Sequence, residues 1–323
     1  MEVVRWGILG TGFIANKFAN AVKNADGAKL VAVASRNAAS ADAFADKYQI
    51  QYRFDSYEAL AAFAEVDAVY IALPHTYHPI YAKLCMEAGK HVLSEKPICA
   101  NSRQLEELMA IQKEKNVYLM EALWTRFLPA IQKVKQMADS GVIGDVLEVS
   151  ADFCYYQDDR THHVFKPQYA GGSLLDVGIY GLNFASIILG DEVENFQTAT
   201  YQKDGVEERC HILLTYKNGA IARASAAISL AKPEDGYIYG TNGYIRIPHF
   251  YSASEFDVVT EEGTTHYSFP YKGNGFEEEI EACNRCILAG KTQSEIMPLT
   301  QSAKILRLMD AIRERAGITF DVD

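Results

Sequence analysis

Positive charge is scarce in this chain: 31 Lys and Arg stand against 42 Asp and Glu, a formal net charge of −11. Such a field repels a phosphate backbone, so nucleic acid is excluded as an expected partner and any anionic ligand needs a local positive site. Long apolar runs are missing as well. No stretch is expected to supply the roughly 20 apolar residues of a membrane span, and Met1 to Arg5 is too short and too quickly structured for a targeting peptide. The six cysteines, Cys85, Cys99, Cys154, Cys210, Cys283 and Cys286, are scattered, and no secretory apolar region precedes them. That usage fits free thiols in a reducing compartment, with the cytoplasm as the expected location. Internal repeats, low-complexity tracts and Pro/Ser-rich linkers are also absent.

What is present suffices for about two domains with cores that need neither disulfide nor metal: 323 residues, 49% hydrophobic and 23% charged. Up to about residue 122, β-rich runs alternate with helical stretches: "VVRWGIL" then "FIANKFANAVKN", "KLVAVAS" then "AASADAFADKY", "DAVYIAL", "KHVLSEK", a helix from about Asn101 to Lys115, and "VYLMEAL". Strands apolar on both faces and joined by amphipathic helices imply βαβ units and a doubly wound parallel sheet. Asn101 is the expected N-cap, and Gly27, Gly89 and Gly141 stand where left-handed helix ends belong. After a helix over about Leu128 to Ser140 the rhythm changes. "DVLEVSADFCYY" reads as a strand and "GGSLLDVGIYGLNFASIIL" as a helix, followed by strand-like runs such as "ENFQTATYQ", "RCHILLTY", "AIARASAAISL", "GYIRIPHF" and "SEFDVVT". Turn signals between several of them imply a large, mainly antiparallel sheet. The expectation is therefore an α/β Rossmann domain over residues 1–122 and an α+β domain over 123–323, closed by helices near 277–289 and 299–316.

"GTGFIA" lies between the first strand and the first helix, and that context gives a short glycine pattern its weight. Gly10 permits the tight turn, Gly12 lets a pyrophosphate approach the backbone, and Ala15 stands at the third position of G-x-G-x-x-G/A. Gly10, Thr11, Gly12, Phe13 and Ile14 thus form the expected phosphate cradle, at a helix N-terminus with free N–H groups. The second strand ends in "VAVASRNA", where an acid gripping a ribose 2′-hydroxyl is replaced by Ser35 and Arg36. A hydroxyl and a guanidinium suit a 2′-phosphate, which points to NADP, with NAD as the alternative.

The blocks "GTGFIA", "ALPHTYHP", "SEKP", "EALWTRFLP" and "GGSLLDVGIYG", in this order and nearly end to end, resemble the Gfo/Idh/MocA oxidoreductase family. Within it the likeness is to the branch of dimeric dihydrodiol dehydrogenases and NADP-dependent D-xylose dehydrogenases. The resemblance implies a nicotinamide site along Pro74, His75, His78 and Glu95, although many relatives have Asn at the place of His75. No third ligand accompanies His75 and His78 in sequence, so no metal is expected. It also implies that Lys96 is the catalytic lysine, with Pro97 shaping its turn, and that Trp124 and Arg126 line cofactor and substrate. Tyr180, where many relatives carry His, becomes proton donor or acceptor, Asp176 orients a substrate hydroxyl, and Phe153 adds a wall.

A cation near the oxygen of an oxidised alcohol stabilises the developing alkoxide, and a lysine of lowered pKa can take the proton itself. Which of Lys96 and Tyr180 does so stays open. Asp176 and Tyr180, four residues apart in the predicted helix, share a face. The "CNRC" pair reads as packing, since no second pair or nearby histidine accompanies it. Together these features suggest an NAD(P)-dependent enzyme acting on CH–OH groups of a sugar, polyol or cyclic diol. An enzyme working mainly as a sugar carbonyl reductase and a non-catalytic NAD(P)-sensing regulator are the alternatives. The small apolar residues expected on both faces of "AIARASAAIS" suggest a sheet-to-sheet homodimer or a dimer of dimers.

Overall fold

The apolar runs of the first third of the chain form six parallel strands in a computed structural model that describes residues 2–323. In chain order they are β1 (Val4–Leu9), α1 (Phe13–Val22), β2 (Ala28–Ala34), α2 (Ala38–Tyr48), β3 (Tyr52–Phe54), α3 (Tyr57–Ala61), β4 (Ala68–Ile71), α4 (His78–Glu87), β5 (His91–Glu95), α5 (Ser102–Lys115) and β6 (Leu119–Ala122). The sheet order is β3-β2-β1-β4-β5-β6. Strand order reverses between β1 and β4, and ligands of such sheets bind at the carboxyl ends beside that switch. Trp6, Ile8, Val33, Val69, Ile71 and Leu93 are fully buried, as strands covered on both faces require.

Asn101 caps α5 by accepting the Gln104 N–H at 3.0 Å. Gly89 and Gly141 follow their helices in left-handed conformation, whereas Gly27 lies in the turn entering β2 rather than at the end of α1. This compact unit extends to Trp124 and also takes in Tyr271–Ala303. The returning segment belongs here for a physical reason. Its helix Glu277–Leu288 buries Ile280 and Cys283, and Asn284 accepts the Trp6 indole N–H at 2.9 Å while donating to the Asp26 carbonyl at 2.8 Å.

The second unit, Thr125–Pro270 with Lys304–Asp323, carries α6 (Pro129–Asp139), β7 (Val146–Cys154), α7 (Ile179–Leu189), β8 (Val193–Lys203), β9 (Val206–Tyr216), β10 (Ile221–Ala227), β11 (Gly236–Gly240), β12 (Gly243–Ile247), β13 (Glu255–Thr260) and β14 (Gly263–Ser268). These strands form one sheet in the order β14-β13-β12-β11-β7-β10-β9-β8. β7 and β10 run parallel and the other neighbours antiparallel, so the sheet is mainly antiparallel. α7 lies on β7 and β10. Ala224 and Ala226 stand directly against Gly181 and Gly178.

Ala222, Ala224 and Ala226 share one buried face of β10, and the register puts Ile221, Arg223, Ser225 and Ala227 on the other, so small residues stand on both. One expectation changes here. The segment Pro167–Leu189 is long and apolar enough to cross a membrane by composition, contrary to the expectation of no such run; it is mostly buried, as a core helix.

Candidate active site

The glycine turn of the first unit is built as a phosphate cradle requires. Gly10 has φ 103°, and a Cβ there would stand 2.4 Å from the Ala72 carbonyl oxygen, so only glycine fits between the ends of β1 and β4. Gly12 is the N-cap of α1, and a Cβ there would meet nothing within 4 Å. The space over the helix N-terminus is therefore open to an anion. Ala15 is fully buried, packing helix on sheet, while Thr11 and Ile14 are half-buried and Phe13 is exposed.

At the end of β2, Ser35 accepts the Asn37 N–H at 3.3 Å through its hydroxyl. Arg36 is exposed, with its guanidinium 5.3 Å from the centre of the Tyr77 ring. The hydrogen bond to Tyr77 raises the Arg36 pKa above the ordinary arginine value against a smaller opposing cost of burial, so the charge is secure.

Beyond β4, Pro74 leads a short turn, His75–Tyr77, into α4. His75 is buried. His78 is fully buried too, and its ring nitrogens lie 2.7 Å from the Pro97 carbonyl oxygen and 2.6 Å from that of Leu73. Both nitrogens thus face carbonyl acceptors. His78, expected among the cofactor-facing residues, fastens the β4 turn to the loop after Lys96. Among the described residues no group of three His, Cys, Asp or Glu could hold a metal ion.

Lys96 is half-buried directly after β5, and its peptide bond to Pro97 is cis. Glu95 accepts from the Tyr70 hydroxyl and, at 3.2 Å, from the Lys96 backbone N–H. Glu121 takes the Ile98 N–H at 2.9 Å and the Ser302 hydroxyl at 2.6 Å, holding the same loop from the other side. Glu279 is completely buried with neither carboxyl oxygen hydrogen-bonded. Burial, and then the charge of Glu95, push its pKa well up. The Trp124 ring packs tilted against that of Phe276, centres 5.0 Å apart, with Lys17 Nζ over it at 5.9 Å from its centre.

The second unit brings aromatic rings and a carboxylate together. Phe153 stacks on Tyr251 with ring centres 3.8 Å apart, and Tyr180 lies 5.2 Å from Phe153 and 5.8 Å from Tyr251. Tyr155 donates its hydroxyl to Asp176 Oδ2 at 2.7 Å. Burial, followed by the Asp176 charge, raises the Tyr155 pKa, so Tyr155 stays protonated and donating. Arg126, expected along the cofactor, gives Nε to Asn183 at 3.0 Å and an Nη to Ser186 at 3.2 Å, which pins α7.

The expected shared α-helical face of Asp176 and Tyr180 is modified. Leu174–Gly178 is a π-helical turn, and regular α-helix starts only at Ile179. Such turns are frequent at functional sites. Sequence reasoning missed Tyr155 and Tyr251. Strand alternation from Phe153 leads to Tyr155, but Tyr251 has no local signal.

The GFO/IDH/MocA oxidoreductase-family model of a NAD-binding Rossmann fold matches residues 4–123, and the GFO/IDH/MocA C-terminal domain model matches residues 131–246. The chain belongs to the GFO/IDH/MocA oxidoreductase family. Among family relatives, the trans-1,2-dihydrobenzene-1,2-diol dehydrogenase of Xenopus laevis is 33% identical over 98% of this chain and 99% of its own, and that of Mus musculus 32% over 99% of each. Among solved structures, KijD10, a 3-ketoreductase from Actinomadura kijaniata in complex with NADP and TDP-benzene, is 25% identical with a TM-score of 0.90, covering 97% of this chain and 98% of that one. The chain is thus an oxidoreductase with a NAD-binding Rossmann domain.

Proposed function

We propose that this chain is an NADP-dependent dehydrogenase or reductase that interconverts a secondary alcohol of a sugar or cyclic diol, or a sugar C1 hydroxyl, with the corresponding carbonyl or lactone. The observation that carries this reading is the pairing of polar and aromatic groups in the second unit. Asp176, held by Tyr155, offers a carboxylate to hydroxyls, and Phe153, Tyr180 and Tyr251 supply ring faces. Relatives named as diol dehydrogenases and a ketoreductase in complex with NADP support the same substrate class and cofactor.

The residues fit the cofactor. The open space over Gly12 suits a pyrophosphate held by Gly10, Thr11, Gly12, Phe13 and Ile14, and the charged Arg36 with Ser35 suits a 2′-phosphate. Pro74, His75, Glu95 and Trp124 are the nicotinamide-side residues in this reading. When bound, NADP supplies the hydride acceptor or donor. Lys96 stabilises negative charge on the alcohol oxygen, and Tyr180, or Lys96 itself, holds the proton that leaves or joins that oxygen. Asp176 orients a neighbouring substrate hydroxyl.

The test is a screen of purified protein with NADP and with NAD against pentoses, hexoses and cyclic diols, read by the absorbance of the reduced nicotinamide. Turnover is expected with NADP on at least one of these classes. Tight NADP binding with no turnover on any alcohol or carbonyl would transfer the assignment to a regulator.

The free face of the eight-stranded sheet suggests a homodimer or dimer of dimers. Leu213 (38% exposed), Ile221 (37%) and Tyr239 (38%) lie on that face, a cost in water that a second copy removes. Sedimentation at micromolar concentration should show dimer or larger; monomer alone would count against it. Six free cysteines, five of them buried, support a cytoplasmic location.

A further inference from the structure

A carboxyl that never reaches solvent stands at the root of the segment bearing Asp176 and Tyr180. Glu207, on β9, is 1% exposed. Its Oε1 accepts the backbone N–H of Leu174, the first residue of the π-helical turn, at 2.6 Å. Its Oε2 has no hydrogen-bond partner. Space for this side chain exists because residue 172 is glycine. Gly172 has φ 132°, and a Cβ there would stand 1.9 Å from Glu207 Oε2. The second glycine of "GGSLLDVG" therefore admits a carboxyl beneath the turn, on a backbone that side chains rarely adopt.

We infer that Glu207 is a positioning residue of the active site: its neutral carboxyl holds the π-helical turn through the Leu174 amide, and its ionisation loosens the turn and misplaces Asp176. This deepens the reading above and rests on it for the role of Asp176. Burial raises the Glu207 pKa to about 8, and the charge of Asp176 on the turn pushes the same way. The Leu174 amide, the Glu207 backbone N–H and then Arg313 of the last helix, Leu299–Ala316, oppose it, while Arg313 is also paired with Asp310 and Asp323. Cys210, farther along β9, feels the Glu207 charge, but burial holds it as a thiol, with its pKa near 12. Glu208, next in the strand, is paired with Arg160 at 2.6 Å. Below the titration Glu207 is a neutral acid in an apolar seat. Above it, a buried anion faces the Asp176 carboxylate, and opening the turn to water relieves both costs.

The experiment compares wild type with Glu207→Gln, which keeps the shape and a carbonyl for the Leu174 N–H but does not titrate. In wild type, kcat/KM should fall by about tenfold between about pH 6.5 and pH 9, following the neutral fraction of one group with a pKa near 8. The variant should lack that component, so kcat/KM of wild type divided by that of the variant should itself fall by about tenfold over this range, whatever the absolute activities. Hydrogen exchange of the amides 174–178, corrected for the intrinsic pH dependence, needs no substrate. Wild type should lose about tenfold in protection over the same range and the variant none. Parallel exchange profiles in the two proteins overturn the inference whichever substrate is found. A difference in exchange without turnover on any sugar or diol would uphold the Glu207 latch and overturn the substrate reading instead. If Glu207→Gln does not fold, wild type alone decides: flat protection from about pH 6.5 to 9 overturns the latch.

Discussion

Turnover of Lys96→Met and of Tyr180→Phe is expected to fall by about 10²- to 10⁴-fold each, the range for a positioned acid, base or charge acting on the reacting oxygen. Both substitutions are matched to their surroundings. Lys96 is half-buried at the end of β5, and its backbone contributes the N–H bond to Glu95, which methionine retains. Tyr180 is 7% exposed, and its ring contacts to Phe153 and Tyr251 at 5.2 and 5.8 Å survive in phenylalanine. Affinity for NADP should change far less than kcat. The double variant should fall well short of the product of the single losses, because a lysine that tunes a hydroxyl has nothing to tune once the hydroxyl is gone. Strict multiplicativity would mean that the two groups act independently. Near wild-type turnover in Tyr180→Phe would leave Lys96 as the proton-handling group.

The parallel sheet was legible because strands covered on both faces leave unbroken apolar runs in the sequence. β3 and α3 were not. Three and five residues are too few to show a period. β11 and β14 escaped for a related reason: "GYIYG" is short and glycine-bounded, and "GTTHYS" is a polar edge strand at the end of the sheet. The central place of β7 rests on pairing with β10 and β11, some 70 or more residues later, and no local pattern encodes a partner so distant. The return of Glu277–Leu288 to the first unit was equally hidden, since its contacts with Trp6 and Asp26 are tertiary.

Within the site, backbone-driven features were more legible than side-chain roles. Gly10 announces itself, because a residue with a Cβ does not fit its turn, and Gly12 is read from its place two residues on. His78 did not. Its letter gives no sign of the two carbonyls, of Leu73 and Pro97, that its ring nitrogens meet. Glu207 was hidden by the strongest prior of all, that glutamate in an alternating strand faces water. What reverses that prior is a backbone amide and a missing Cβ, both some 35 residues upstream.

Replacing Arg36 with alanine is expected to weaken NADP binding by roughly one to two decades, the about 1.5 to 3 kcal/mol of a charge-assisted hydrogen bond to phosphate. NAD binding should change much less, since NAD carries no 2′-phosphate. The guanidinium already has its fixed neighbour, the Tyr77 ring at 5.3 Å and the Tyr77 hydroxyl that raises its pKa, so little ordering remains for ligand binding. Because Arg36 is exposed, the preference should also shrink as salt is raised, which separates a charge effect from a purely steric one. Arg36→Lys should fall between wild type and Arg36→Ala, keeping the charge while losing the planar fork that meets both phosphate and ring. Titration of wild type and both variants with both dinucleotides, followed by protein fluorescence, gives the six affinities required. Equal affinity of wild type for NAD and NADP would remove Ser35 and Arg36 from the cofactor site, because no other part of the reading assigns them a task.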